Sequence, residues 1–159
     1  MAESLDIKTA QLRQDPRYGE MFKSDSGHEL PDVVIAPYVG PEVMNRAMSS
    51  GHQIIDSDGE RVGTFTLVGN STKDRRYVRN IEIVPEQQGK RLAVATYVGL
   101  LALLGEGGKY LTSDPQHLKQ PSNRVWESLV KRGLAQVDSE AGLDVQGFPR
   151  YTTKPNSQS

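Results

Sequence analysis

Gln88, Gly89, Lys90 and Arg91 stand between two unlike apolar runs. Before them Ile81 and Ile83 alternate with Asn80 and Glu82; after them Leu92 to Leu104 is nearly unbroken apolar sequence. Alternation marks a half-buried strand and the long block a buried helix, so the polar residues sit at a strand–helix junction. The start of a helix leaves backbone N–H groups without intrahelical partners and carries partial positive charge. With a permissive Gly and two added cations, such a junction suits a pyrophosphate. A solvated turn that happens to be basic fits the same residues equally well.

Other chemistries find less support. The chain has no cysteine, which excludes disulfides, Cys-ligated zinc and a thiol nucleophile, and fits a reducing compartment. His28, His52 and His117 are too far apart for a metal-ligand spacing. "GEGGK", residues 105–109, fails the nucleotide-loop pattern because Tyr110 follows the Lys where Ser or Thr is required, so it reads as a helix stop. Lys73, Arg75, Arg76 and Arg79 make a small basic patch that reads as a solvated loop. The net charge of −1 gives no general pull toward nucleic acid or membrane, and a nucleic-acid partner is not expected.

The elements that must position the junction follow from composition and period. An apolar fraction of 36% in 159 residues suffices for the core of one domain, and the chain is read as a single domain over 1–159 with a frayed tail at 154–159. The opening "MAESLDIKTAQLRQ" has no apolar stretch of the signal-peptide kind. The apolar block 92–104 is too short to span a bilayer, so a soluble cytoplasmic protein is expected. Residues 4–23 read as a helix, 33–39 as a strand pushed to an edge by Pro37, and 41–50 as a short helix ending at Gly51. Gln53 to Val68 reads as a hairpin turning at Asp58-Gly59, followed by a strand over 77–84 and the helix over 89–104. A short strand follows at 109–113. A helix comes next, with Ser122 or Asn123 as its cap, Val125, Trp126, Leu129 and Val130 as its apolar stripe, and Gly133 as its stop. Two closing strands fall in 134–138 and 148–154. This order predicts an α/β or α+β fold: a mixed, largely antiparallel central sheet flanked by helices.

"IEIVPEQQGKRLA", 81–93, resembles the acetyl-CoA-binding segment of the GNAT acetyltransferase superfamily: a hydrophobic strand, then Arg or Gln, two residues, Gly, one residue, and Gly or Ala opening a helix. Gln88 takes the first place and Ala93 the last, while Arg91 stands where the family usually has its middle Gly. "SNRVWESLVKRGLAQV" is similar to the family's later helix, and "KYLTSDP" to the strand that splays away to admit the pantetheine arm. The resemblance covers roughly 53–153; residues 1–52, where acceptor-binding elements normally lie, are atypical.

The resemblance implies direct acetyl transfer from acetyl-CoA to an amine of unknown identity. Backbone groups near Ile81 and Ile83 would pair with pantetheine; Gln88, Gly89, Lys90, Arg91, Leu92 and Ala93 would hold the pyrophosphate, and Asn123 would contact the cofactor or merely cap its helix. Such a reaction needs a base for the amine and a proton for the leaving thiolate. Glu82 points away from Ile81 and Ile83 and is the candidate base, against the alternative of a carboxylate paired with Arg79 or solvated. Tyr77, read as lying on the side of Ile81 and Ile83, is a second candidate, against a packing role. Where the family often has a proton-donating Tyr in its later helix, this chain has Leu129, which cannot donate. The alternative to an enzyme is a GNAT-fold protein that has lost catalysis and serves in binding or structure.

Overall fold

The computed structural model describes residues 5–23, 29–69, 74–114, 120–143, 147 and 149–153, with side chains omitted for 120–123. Asp58-Gly59 turns the chain as its composition predicts: Gly59 takes a φ of 84°, and β3 (Ser49–Ile55) pairs antiparallel with β4 (Arg61–Gly69). β4 pairs in turn with β5 (Arg75–Ile83). β5 begins two residues earlier than its alternation suggests, so Arg75 and Arg76 join Arg79 in the strand and the three are not a loop patch; Lys73 lies outside the described residues.

The N-terminal part departs from expectation. Residues 4–23 do not form one helix. β1 (Ile7–Lys8) is followed by a short α1 (Thr9–Gln14) and a 3-10 turn at Gly19–Phe22. A strand is favoured at residue 7 because Ile7 pairs with Ile35 of β2 (Val34–Pro37) and buries its side chain. β1 reaches only Val34 and Ile35, which leaves Pro37 unpaired on that side, as a residue without an N–H requires. The helix expected over 41–50 is also absent. Ser49, Ser50 and Gly51 belong to β3, and a Cβ at Gly51 would meet Val43 Cγ2 at 2.4 Å and the Tyr38 carbonyl at 2.6 Å. That glycine permits close packing of the 38–43 segment rather than ending a helix.

After β5 the order agrees with the sequence. α2 (Leu92–Glu106) leads to β6 (Tyr110–Thr112), α3 (Gln120–Lys131), β7 (Gln136–Val137) and β8 (Tyr151–Thr152). Among the described residues the sheet has the order β1-β2-β3-β4-β5-β6-β8-β7 and is antiparallel except for β5 with β6. Every residue of α2 from Val94 to Leu100 is buried, so this helix is enclosed all round, as its lack of a polar face predicts. It lies close over the first strands at Gly99, where a Cβ would meet Thr9, Ile7 and Ile35. On α3, Val125, Trp126 and Leu129 are buried but Val130 is 38% exposed, so the stripe is narrower than expected. Trp126 packs edge-on to Tyr97 of α2 and stacks on Tyr151 of β8. Among the described residues no helix is long and apolar enough to cross a membrane.

Candidate active site

β5 keeps two neighbours for only part of its length. The parallel ladder with β6 pairs Arg75 with Tyr110, Arg76 with Leu111 and Tyr77 with Thr112, and then ends. Among the described residues, no strand pairs with β5 on that side from Val78 to Ile83, which leaves a gap beside it. The Val84 N–H donates to the Val62 carbonyl of β4. Because backbone groups alternate in direction along a strand, the N–H and C=O of Ile83 point the other way, into the gap. Those of Ile81, two residues earlier, share that direction. The gap therefore has an edge of backbone groups, the arrangement to which an extended amide-bearing chain adds by hydrogen bonds, although the Ile83 carbonyl already accepts from the Gln88 side chain.

A bulge shapes the middle of β5. Arg79 lies opposite Thr66 and Glu82 opposite Thr64, so Asn80 and Ile81 together face the single residue Phe65. Asn80 takes a φ of 54° to allow it. Opposed residues share a face, and alternate residues of β4 share one too. Tyr77, Arg79 and Glu82, opposite Val68, Thr66 and Thr64, thus lie on one face, and Ile83, opposite Gly63, lies on the other. This corrects the placement of Tyr77 beside Ile83: the extra residue reverses the alternation and brings Tyr77 to the face of Glu82.

The loop to α2 forms a tight approach to the helix start. Residues Pro85–Gln87 make a 3-10 turn, Gly89 takes a φ of 83° with nothing within 4 Å of where a Cβ would stand, and Arg91 caps α2 with φ 61°, ψ 23°. Arg91 has adopted the left-handed conformation normally left to glycine, the residue the motif places there. α2 begins at Leu92 rather than near residue 89, and the Ala95 N–H donates to the Arg91 carbonyl, so the amides of Leu92, Ala93 and Val94 precede the helical ladder. Gln88 is exposed, and its Nε2 donates to the Ile83 carbonyl at 2.9 Å, which ties the loop back to β5. Lys90 and Arg91 are exposed.

Of the alternatives to a base role for Glu82, pairing with Arg79 is not made. Arg79 forms a two-pronged pair with Asp114, Nε to Oδ2 at 3.0 Å and Nη2 to Oδ1 at 3.0 Å. Its guanidinium also lies over the Tyr77 ring, 5.0 Å from the centroid. Burial raises the Tyr77 pKa, partly opposed by the Arg79 cation and reinforced by the Asp114 charge, so this phenol holds its proton. Glu82 is exposed on the same face. Leu129 is wholly buried and belongs to the core. α3 begins at Gln120, which puts Ser122 and Asn123 inside its first turn rather than at the cap; their side chains, like His28 and His117, lie outside the described residues. Asp114 has no sequence signal of its own: it stands 35 residues from Arg79 and only the fold joins them.

The architecture is that of the GNAT acetyltransferases. Solved structures with this fold include a protein assigned as an acetyltransferase from Sphaerobacter thermophilus DSM 20745 (TM-score 0.51, 12% identity, 76% of this chain and 92% of that one covered). They also include an IAA acetyltransferase from Bacillus cereus ATCC 14579 (0.51, 11%, 76% and 97%). A chimera of the Vibrio cholerae spermidine N-acetyltransferase matches at 0.50 with 15% identity, covering 67% of this chain and 66% of that one. No protein-family model and no curated protein matches the chain.

Proposed function

We propose that the protein is an acyl-CoA-dependent N-acyltransferase that passes acetyl from acetyl-CoA directly to an amine. The observation that carries this reading is the gap along β5, edged by the backbone groups of Ile81 and Ile83 and leading to the glycine-bearing start of α2. An extended pantetheine arm fits such an edge, and its pyrophosphate fits the amides of Leu92 and Ala93 with Gly89, Lys90 and Arg91 around them. Gln88 holds the loop in place, and Asn123 is a further contact on the α3 side.

In the reaction the amine nitrogen attacks the thioester carbon, the C–S bond breaks, the amine loses a proton and the thiolate gains one. Glu82, an exposed carboxylate on the face of Tyr77, serves as base, directly or through a water. Tyr77 keeps its proton but packs against Arg79 where the ladder ends, so the proton for the departing sulfur is assigned to solvent. Calorimetry with CoA and acetyl-CoA tests the reading: saturable binding is expected, and no heat and no thermal shift in excess ligand overturns it. A screen for thiol release over amines and peptides then finds the acceptor.

A second reading is a GNAT-fold protein without catalysis. The burial of Leu129 at the place of the family's donor Tyr favours it. Tight CoA binding with no thiol release to any amine decides for it.

A further inference from the structure

We propose that the Arg79–Asp114 ion pair is the end wall of the acyl pocket and restricts the donor to short acyl chains. The proposal rests on the acyl-CoA reading above. The parallel ladder pairs residue 77 with 112 and stops; continued by two residues, it would set 79 against 114. Those two residues are joined there by side chains instead of backbone. The strut replaces the ladder in register and closes the gap at its β6 end. Its members are 19% and 12% exposed.

The surroundings leave this end closed and polar. The Tyr77 ring lies against the Arg79 guanidinium. Thr112 and Ser113 are buried, and Arg150 Nη2 donates to the Ser113 carbonyl at 3.2 Å. From α2, burial raises the pKa of the Tyr97 phenol and the Asp114 charge adds to it, so Tyr97 also holds its proton. An acyl chain entering from the Ile83 end, past Ile81, points at this wall. The single methyl of an acetyl group can stop before it. Each further methylene would be pressed onto a charged pair, where it displaces polar contacts without gaining apolar ones. The pair cannot step aside without giving up both of its hydrogen bonds and leaving two half-buried charges apart.

The test measures binding of CoA, acetyl-CoA and butyryl-CoA by calorimetry on the full chain and on the double variant Arg79→Ala/Asp114→Ala, which removes both charges together. The native protein is expected to bind acetyl-CoA more tightly than butyryl-CoA. In the double variant that preference should fall by about tenfold, the worth of two methylenes no longer pressed onto a charged pair, with CoA affinity unchanged within about twofold. If melting shows the double variant unfolded, Arg79→Gln/Asp114→Asn, which keeps a hydrogen-bonded pair without charge, should shift the preference the same way by about threefold. An unchanged preference in a folded variant that still binds CoA overturns this proposal alone, as does a native preference for butyryl-CoA. Failure of the native protein to bind CoA at all overturns the acyl-CoA reading and this proposal with it.

Discussion

Arg91 holds a backbone conformation that costs an L-residue with a Cβ free energy and glycine almost none. Comparing Arg91→Gly with Arg91→Ala isolates that cost, because both remove the same guanidinium. The glycine variant should be the more stable of the two by about 1 kcal/mol in urea unfolding. If the Arg91 side chain also holds a phosphate, both variants should bind CoA more weakly and with less dependence on salt. Glu82 is tested separately. Glu82→Gln keeps the shape and hydrogen-bonding capacity but removes the base, so turnover should fall by about 100-fold with CoA affinity nearly intact. Full turnover in that variant would return the base role to a water.

At the scale of elements, α3 is held by a few buried residues and stopped cleanly. Gly133 takes a φ of 75°, and the Leu134 N–H returns to the Leu129 carbonyl at 2.9 Å. Leu129 therefore has its backbone tied into the helix end and its side chain in the core. Leu129→Tyr places a bulkier phenol at a wholly buried site with no space for it. It should destabilise by about 1–3 kcal/mol in thermal or urea melts and bring no gain in thiol release. A stable variant with raised turnover would mean that position 129 reaches the cleft. The β4–β5 ladder is close-packed beside the bulge as well: a Cβ at Gly63 would meet the Glu82 carbonyl at 2.5 Å, so this glycine allows the strand pair to run past the extra residue.

Across the whole molecule, His52 fastens the N-terminal segment to the sheet. It is fully buried, stacks on Phe65 with ring centroids 5.1 Å apart, and accepts a hydrogen bond at Nε2 from the Leu5 N–H at 3.0 Å. Burial pushes its pKa down to about 4 from 6.5, against a smaller opposing pull from the Ser50 backbone. The folded chain therefore resists a proton that the unfolded chain accepts. Stability should be constant in this residue above pH 6.5, fall as pH drops toward 4, and level off below, with a total loss of about 3 kcal/mol. His52→Gln should remove that part of the pH dependence, as read from urea midpoints between pH 4 and 7. An unchanged slope would assign the acid sensitivity to other groups.

Features set by neighbours in the chain were legible from residue types alone. Asp58-Gly59 makes its turn because the turn chemistry lies within those residues. α2 is buried all round because its own side chains leave no polar face. The strand–loop–helix junction at 81–93 was legible for the same reason, with α2 starting a few residues late. Features set by partners far along the chain were not. Residues 49–51 have the look of a helix end, but the ladder to β4 supplies more hydrogen bonds than an isolated turn of helix, and the strand prevails. Tyr77 is placed beside Ile83 by simple alternation; one bulged residue, needed to keep β5 in register with β4, turns it to Glu82. The pairing of Arg79 with Asp114 depends on where β6 stops following β5, and pairing across a sheet is decided by tertiary packing, not by either strand's own composition.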